Sequence, residues 1–434
     1  MKVGSATLPS PSNTSLQAGS IRSDPFLNSK SYRLTREIQN NTILNRATLE
    51  LLGADIPSSL TELVGRNWKT AVEVAFRITL FLVTALFVPL LFIPFLNKHA
   101  ASKFSLPKEF NHNYLNQFED LIPEKDTQEE NEKFRKKLIE LEGEDKVKSA
   151  FGDNKKKQIE GIKDYKQKLI KAKSDVVKKD ILYTGLLTYM VSWVQNWFSK
   201  HIMGVVGYTG ETDLLNQSQL EESASFHEKT KYIKFAIGVL PTIFGSNWYS
   251  NKLSKAVTSK DEELKDSKFM SFIKKHVSQF DYYKEKYARK LNLAGAYLFG
   301  ADLGFILGCR SLNEFFERIL RLAVFWPTMF YGIEWVNAKF ATSSDKKQGT
   351  HIIDQNAPRE FNIPKVKMLG ELEKELKDVS SSGDAEKANA ILKSMKNQAK
   401  YFWGSILIDS LLMGVGLTGA NIIGTKMRVA RGIY

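Results

Sequence analysis

The amino-acid sequence predicts an all-α fold: a polytopic transmembrane helical bundle of about six spans, with Lys-rich helical hairpins outside the bilayer. Three observations predict it. Of 62 Lys and Arg, 43 fall in just three stretches, 97–180, 250–290 and 337–400. The segments between them are apolar in blocks, where a soluble bundle would alternate polar and apolar residues every three or four positions. The longest block, Ile78–Leu96, runs for nineteen residues without a charge. At ~1.5 Å per residue that is enough for about 30 Å of hydrocarbon. The averages, 25% charged residues and a mean hydropathy of −0.27, look soluble only because they mix two populations.

The elements follow in order. Residues 1–27 are rich in Ser, Pro and Gly, lack a hydrophobic run of the kind a signal peptide carries, and are expected to form a disordered tail. Residues 28–70 are expected to hold two short amphipathic helices. The first carries Leu44, Leu49, Leu51 and Leu52 and stops at Gly53; the second opens near Ser59, with Glu62 completing a capping box. The first span, Ile78–Leu96, has Glu73 and Arg77 one turn apart at its leading edge. Ile181–Phe198 carries Trp193 and Trp197 near one end, as interfacial aromatics do. Phe235–Tyr249 is short, with Lys234 placed to snorkel. Leu291–Cys309 contains Asp302, and Leu322–Ile333 reaches spanning length only with Arg321 and Glu334 at the interfaces. Tyr401–Gly424 contains Asp409. The spans pair as 71–198, 232–309 and 319–424, each pair enclosing one Lys-rich insert, and 425–434 forms a basic tail.

Spans one, three and five each carry a proline followed three residues later by a phenylalanine: Pro89 and Phe92, Pro241 and Phe244, Pro327 and Phe330. The prolines are expected to kink their helices, and the recurrence suggests three two-span repeats. Alternating proline-bearing and glycine-bearing spans in three pairs resembles mitochondrial carriers. Their signature, however, places an acid two residues after the proline, where Leu91, Ile243 and Met329 stand here. The signature is absent, and the family's function is not carried over.

Under strict alternation the inserts after spans one, three and five share one side. They hold 20, 11 and 12 Lys and Arg, against 4 and 3 in the loops 199–234 and 310–321. The positive-inside rule makes the basic side cytoplasmic, at a plasma or inner membrane. This arrangement places about 70 N-terminal residues, with eight Lys and Arg, on the opposite side. Within the inserts, 127–143 and 155–181 show helical spacing and are expected to form a hairpin. So do two stretches in 366–399 around a turn at Ser380–Asp384, with Asp384 as N-cap.

Ala296, Gly300, Gly304 and Gly308 recur at every fourth position, a ridge that lets another helix approach closely. Gly416, Ala420 and Gly424 repeat the pattern in span six. Gly414, Gly416 and Gly419 match a dinucleotide fingerprint in spacing, but that motif needs flanking strands, so packing is the expected role. Asp302 and Asp409 are the intramembrane polar candidates. A carboxylate in hydrocarbon costs roughly 2.5–3.5 kcal/mol on insertion scales, so each must face the interior, bind a cation or pair. An ion pair with Arg77 or Lys234 is one solution and a proton or cation relay another.

Six histidines show no metal-binding spacing, and no catalytic triad, nucleophile elbow or phosphate loop is present. No catalytic residue, metal or cofactor is expected. The net charge of +14 suits anionic lipid headgroups. Nucleic acid is not expected, because no aromatic stacking platform accompanies the lysines. The sequence therefore points to a non-enzymatic multi-pass membrane protein, transporter-like or a scaffold, with self-association or partner membrane helices as expected contacts. The alternative is a half-inserted protein whose Lys-rich helices grip anionic lipid or nucleic acid at the membrane surface.

Overall fold

The computed structural model describes residues 24–40, 42–110, 128–258, 295–357, 362–382 and 384–434. Residues 1–23 of the tail expected over 1–27 and most of the second insert lie outside the described residues; the end of that tail is not disordered but helical over Pro25–Asn28, with Phe26 and Leu27 packed against the buried cluster around Tyr32. What is described is all-α. Its β structure is confined to one antiparallel bridge between Ile353 and Val366.

In chain order the helices are α1 (Lys30–Asn40), α2 (42–65), α3 (Trp68–Lys103), α4 (Gln128–Glu142), α5 (Glu144–Phe151) and α6 (Lys155–His201). They continue with α7 (Gln217–Thr258), α8 (Tyr297–Leu307), α9 (312–348), α10 (Leu369–Ser382) and α11 (Ala385–Ala430). Among the described residues, only α3 and α11 are both long and apolar enough to cross a membrane. They contain the first and sixth expected spans. By that measure two of the about six expected spans are candidates and the other four do not qualify, for local reasons. In α6, Thr184, Thr188, Ser192, Gln195 and Ser199 line up at helical spacing and are all buried, so its interior face is polar. Among the described residues the apolar helix in the fourth segment covers Tyr297–Leu307, and the fifth is flanked closely by Arg321 and Glu334.

The chain divides into two compact units, one of Met1–Ala54 with Trp326–Met413, the other of Asp55–Phe325 with Gly414–Tyr434. In the first, α10 and α11 form the expected hairpin. The Asp384 side chain accepts from the Lys387 N–H at 3.0 Å and caps α11. Leu369, Leu372 and Leu376 pack against Ala388, Ile391 and Met395, and Tyr32 of α1 closes this core. The C-terminal part of α9 lies on α11, with Phe340 stacked on Tyr401 at 5.5 Å. It ends at Gly349, whose φ of +64° is the left-handed cap that glycine adopts without strain.

In the second unit, α4, α5 and the front half of α6 form a helical module on the end of α3. Its core comprises Leu96, Ala100, Phe134, Leu138, Val147, Ile162, Tyr165 and Leu169. The described parts of the first Lys-rich insert are therefore packed. Phe110, Phe151 and Phe134 surround Tyr165 with ring centroids 5.5–6.3 Å apart.

Two expectations fail at the N-terminus. Helix α2 runs through Gly53 without a break, its middle turns in π-helical form. Gly53 is needed there because a Cβ would collide with the Asp409 carboxylate. Ser59 caps nothing: it lies inside the helix and donates to the Asp55 carbonyl at 3.0 Å, while Glu62 pairs with Arg66.

The repeat fails too. Pro89 follows a π-helical segment at Val83–Phe87, Pro327 precedes one at Thr328–Gly332, and Pro241 sits inside the unbroken helix α7. The three prolines occupy different backbone settings, as unrelated prolines would.

Leu138→Ala should destabilise the module by about 2–5 kcal/mol, because the side chain is fully enclosed. Hydrogen exchange over 128–151 should accelerate, while exchange in α10 stays unchanged.

Candidate functional site

The glycine ridge lies in the second unit. Ala296, Gly300, Gly304 and Gly308 press on α6 so closely that a Cβ at Gly300 would overlap the Gly185 carbonyl and the Thr188 hydroxyl. One at Gly304 would overlap the Tyr189 backbone, and one at Gly308 the Ser192 hydroxyl. Thr188 Oγ1 donates to the Ala296 carbonyl at 3.2 Å, and Asn196 Nδ2 to the Gly308 carbonyl at 2.7 Å. The polar stripe of α6 and the exposed backbone of α8 thus satisfy each other. In α11 the matching pattern is used differently. Gly416 and Ala420 are exposed and Gly424 is half-buried, whereas Met413, Leu417, Thr418, Ile422 and Thr425 are buried. The spacing marks a face, and the neighbouring helix packs on the other one.

Asp302 is buried in the second unit, in a π-helical turn leading into the end of α8; Asp409 is buried in the first, beside Gly53. Lys234 lies 4.8 Å over the Phe226 ring.

The densest polar chemistry is elsewhere: an assembly of charges at helix ends, which sequence reasoning missed. Arg310, in the turn after α8, spans Glu73 of α3 (2.5 Å) and Glu314 of α9 (3.0 Å). Ser199 Oγ donates to Glu73 at 2.7 Å, and Gln195 Nε2 donates to it as well. Arg318 pairs with Glu314 and donates to Ser192 Oγ and the Phe305 carbonyl, both at 2.7 Å. Alongside, Arg66 pairs with Glu317 and with Glu62 (3.0 Å). Tyr208 donates its hydroxyl to Glu317 at 2.7 Å, and Thr425 donates to the same carboxylate.

Both Arg66 and Arg310 lie 5.6 Å over the Tyr208 ring, on average the cation–π distance that favours them. A third group joins Glu211 to Ser311 and Asn313, and Asn313 to Arg428 at 2.5 Å. The loop bringing Tyr208 and Glu211 inward turns at Gly207, whose φ of +82° and tight fit against the Leu220 carbonyl admit no side chain.

Burial pushes the Glu314 carboxyl up, but the Arg310 and Arg318 guanidiniums together outweigh it and hold it below the usual carboxylate range. Burial drives the Tyr208 hydroxyl well above its ordinary value, keeping it a donor. Burial also takes the His227 imidazole, stacked on Trp193 at 6.0 Å, down to about 4, so it is neutral near pH 7. At Glu228 burial is outweighed by hydrogen bonds from Lys200 and Lys231, and the carboxyl falls to about 2. Glu62, Glu73, Glu314, Glu317, Arg66, Arg310 and Arg318 each have a counter-charge in place, which suits a structural joint. No cluster of His, Cys, Asp and Glu that could hold a metal occurs among the described residues.

Several lysines in the described parts of the first and third inserts have carboxylate neighbours. Lys168 pairs with Asp164, Lys179 with Asp175, Lys367 with Glu375 and Lys377 with Glu373. Comparisons with protein-family models, curated proteins and solved structures find no match.

Three outcomes follow. Gly304→Leu should lower the thermal stability of the detergent-solubilised protein by several degrees, since overpacking costs about 1–3 kcal/mol or more, whereas Gly416→Leu should leave it unchanged. Arg310→Met strands two buried carboxylates and should cost about 3–5 kcal/mol, with part of the loss recovered on adding Glu73→Gln. The Glu228 contact with Lys200, which ties α7 to α6, contributes stability above the ordinary carboxylate value of 4.5 and loses it as pH falls toward about 2. Acid titration of Glu228→Gln should lack that step.

Proposed function

We propose that this protein is a non-enzymatic, multi-pass membrane scaffold that holds helical modules at one bilayer surface. One observation carries the reading: large apolar side chains are exposed in stripes on helices whose opposite faces are tightly packed. On α7, Ile233, Ile237, Leu240, Phe244 and Trp248 are exposed at helical spacing, while Thr242, Ser246 and Ser250 on the other face are wholly enclosed. On α3, Phe87, Leu91 and Phe95 form such a stripe, and on α11 Leu407, Leu411, Leu412, Val415 and Ile423. Water-facing stripes of this length would aggregate; against acyl chains they are at home.

The charge assembly supports the same reading. Strict alternation of the six candidate spans puts the start of spans one and five and the end of spans two, four and six on one side. Glu73, Arg318, Ser199, Arg310 and Thr425 stand at those five ends and belong to the joint. The arginines and glutamates of the joint are paired with one another, which favours a scaffold over a transport path. Lipid is the expected partner. The basic inserts suit anionic headgroups. Asp302 and Asp409 are then packing residues, without a role in carrying protons or cations.

The protein should remain in the membrane pellet through alkaline carbonate and ~1 M salt. Release by salt alone would favour the peripheral, surface-gripping alternative, and release by carbonate would remove the reading altogether.

A further inference from the structure

Residues 42–65 have no hydropathic claim on a bilayer: Arg46, Glu50, Asp55 and Glu62 interrupt the apolar residues. The structure nevertheless makes them one continuous helix, α2. At ~1.5 Å per residue it is about 36 Å long, against about 30 Å of hydrocarbon.

Its two ends are fastened to different places. Just before it, α1 is tied to the third Lys-rich insert. Arg36 pairs with Glu373 at 2.8 Å, Tyr32 donates to the same carboxylate at 3.0 Å, and Gln39 Oε1 accepts from the Leu369 N–H at 2.9 Å. Just after it, the chain is tied to the loops on the other side of span five. Arg66 pairs with Glu317, Asn67 Nδ2 donates to Asp213 at 2.8 Å, and Thr70 Oγ1 to the Thr209 carbonyl at 3.1 Å. The insert and Glu317 are joined by α9, which contains span five. If α9 crosses the membrane, α2 must cross it too.

The faces of α2 agree. One face keeps to α11 along its length: Gly53 admits Asp409, Ser58 Oγ accepts from Thr418 Oγ1 at 3.1 Å, and Gly65 lies against Ile422. The acids are on the enclosed side. Glu50, Asp55 and Glu62 are buried, with Asp55 3.2 Å from Arg321 and Glu62 paired with Arg66. The other face presents Leu52, Ile56, Leu60, Leu63 and Val64, between 41% and 88% exposed, at helical spacing. It is chemically the same as the exposed stripe on the neighbouring α11. Ionisable groups inward and apolar groups outward is the arrangement a spanning helix requires.

We propose that α2 is a further membrane-crossing helix whose Leu52–Val64 stripe faces lipid acyl chains. Residues 24–40 then share the side of the Lys-rich inserts, and the C-terminus lies on the opposite side. This rests on the membrane reading above, and it removes the difficulty of a basic N-terminal segment on the far side.

Single cysteines at Glu37, Lys374, Gln217 and Leu60, each in a Cys309→Ser background, test it in sealed vesicles of one orientation with a membrane-impermeant maleimide. Glu37→Cys and Lys374→Cys should label from the same side, Gln217→Cys only from the other, and Leu60→Cys from neither. Labelling of Glu37→Cys together with Gln217→Cys, and opposite to Lys374→Cys, would overturn the crossing while leaving the membrane reading intact. Labelling of Leu60→Cys as fast as Gln217→Cys would overturn the lipid contact. Labelling of Lys374→Cys and Gln217→Cys from one and the same side would defeat the membrane reading itself, a result distinguishable from the other two.

Discussion

A charge enclosed away from water must meet its opposite, and that requirement organises one end of the second unit. Arg310 cannot be withdrawn from Glu73 and Glu314 without stranding both, nor Arg66 from Glu62 and Glu317. A buried pair adds little net stability over a well-packed apolar replacement, but removing one partner is expensive. The consequence is specificity of arrangement. Helices that could slide or rotate on apolar faces alone are held in register where their ends carry matched charges, with Tyr208 filling the space between two guanidiniums.

The glycine ridge of α8 solves the complementary problem farther along the same helices. Removing side chains at Gly300, Gly304 and Gly308 brings backbone against α6, and the hydroxyls and amides of α6 then find carbonyls as partners. Close approach and polar satisfaction are one device. Thr188 and Asn196 of α6 reach the Ala296 and Gly308 carbonyls because no side chain on the ridge intervenes.

Much of this was legible in the sequence, in a graded way. Blocks of charge and apolar residues fixed the helical class and the hairpin capped by Asp384, because both depend on local patterns. The ridge in α8 and the pattern in α11 share their spacing, yet only the first is packed: spacing shows that a face exists and not which face its neighbour occupies. Gly53 was ambiguous for a related reason. A glycine in a helix reads as a stop, whereas here it makes room for Asp409. The charge assembly was invisible because its partners lie far apart, Arg310 being 237 positions from Glu73 and Arg66 251 from Glu317. Only folding brings them together.

If α2 and the back half of α6 cross a bilayer as proposed, hydropathy passes over both for the same physical reason. It measures what a helix would face if lipid surrounded it, and a helix with neighbours on one or more sides need only be apolar where lipid reaches it. The two helices sit at different points on that scale. In α6 the polar stripe meets α8, leaving only part of the circumference to be apolar; in α2 the acids meet Arg66 and Arg321, and a continuous apolar stripe remains on the outside. On the proposed reading, counting spans from average hydropathy would undercount wherever helices keep their polar groups for one another, and the exposed stripe, traced residue by residue, is the feature that would meet acyl chains.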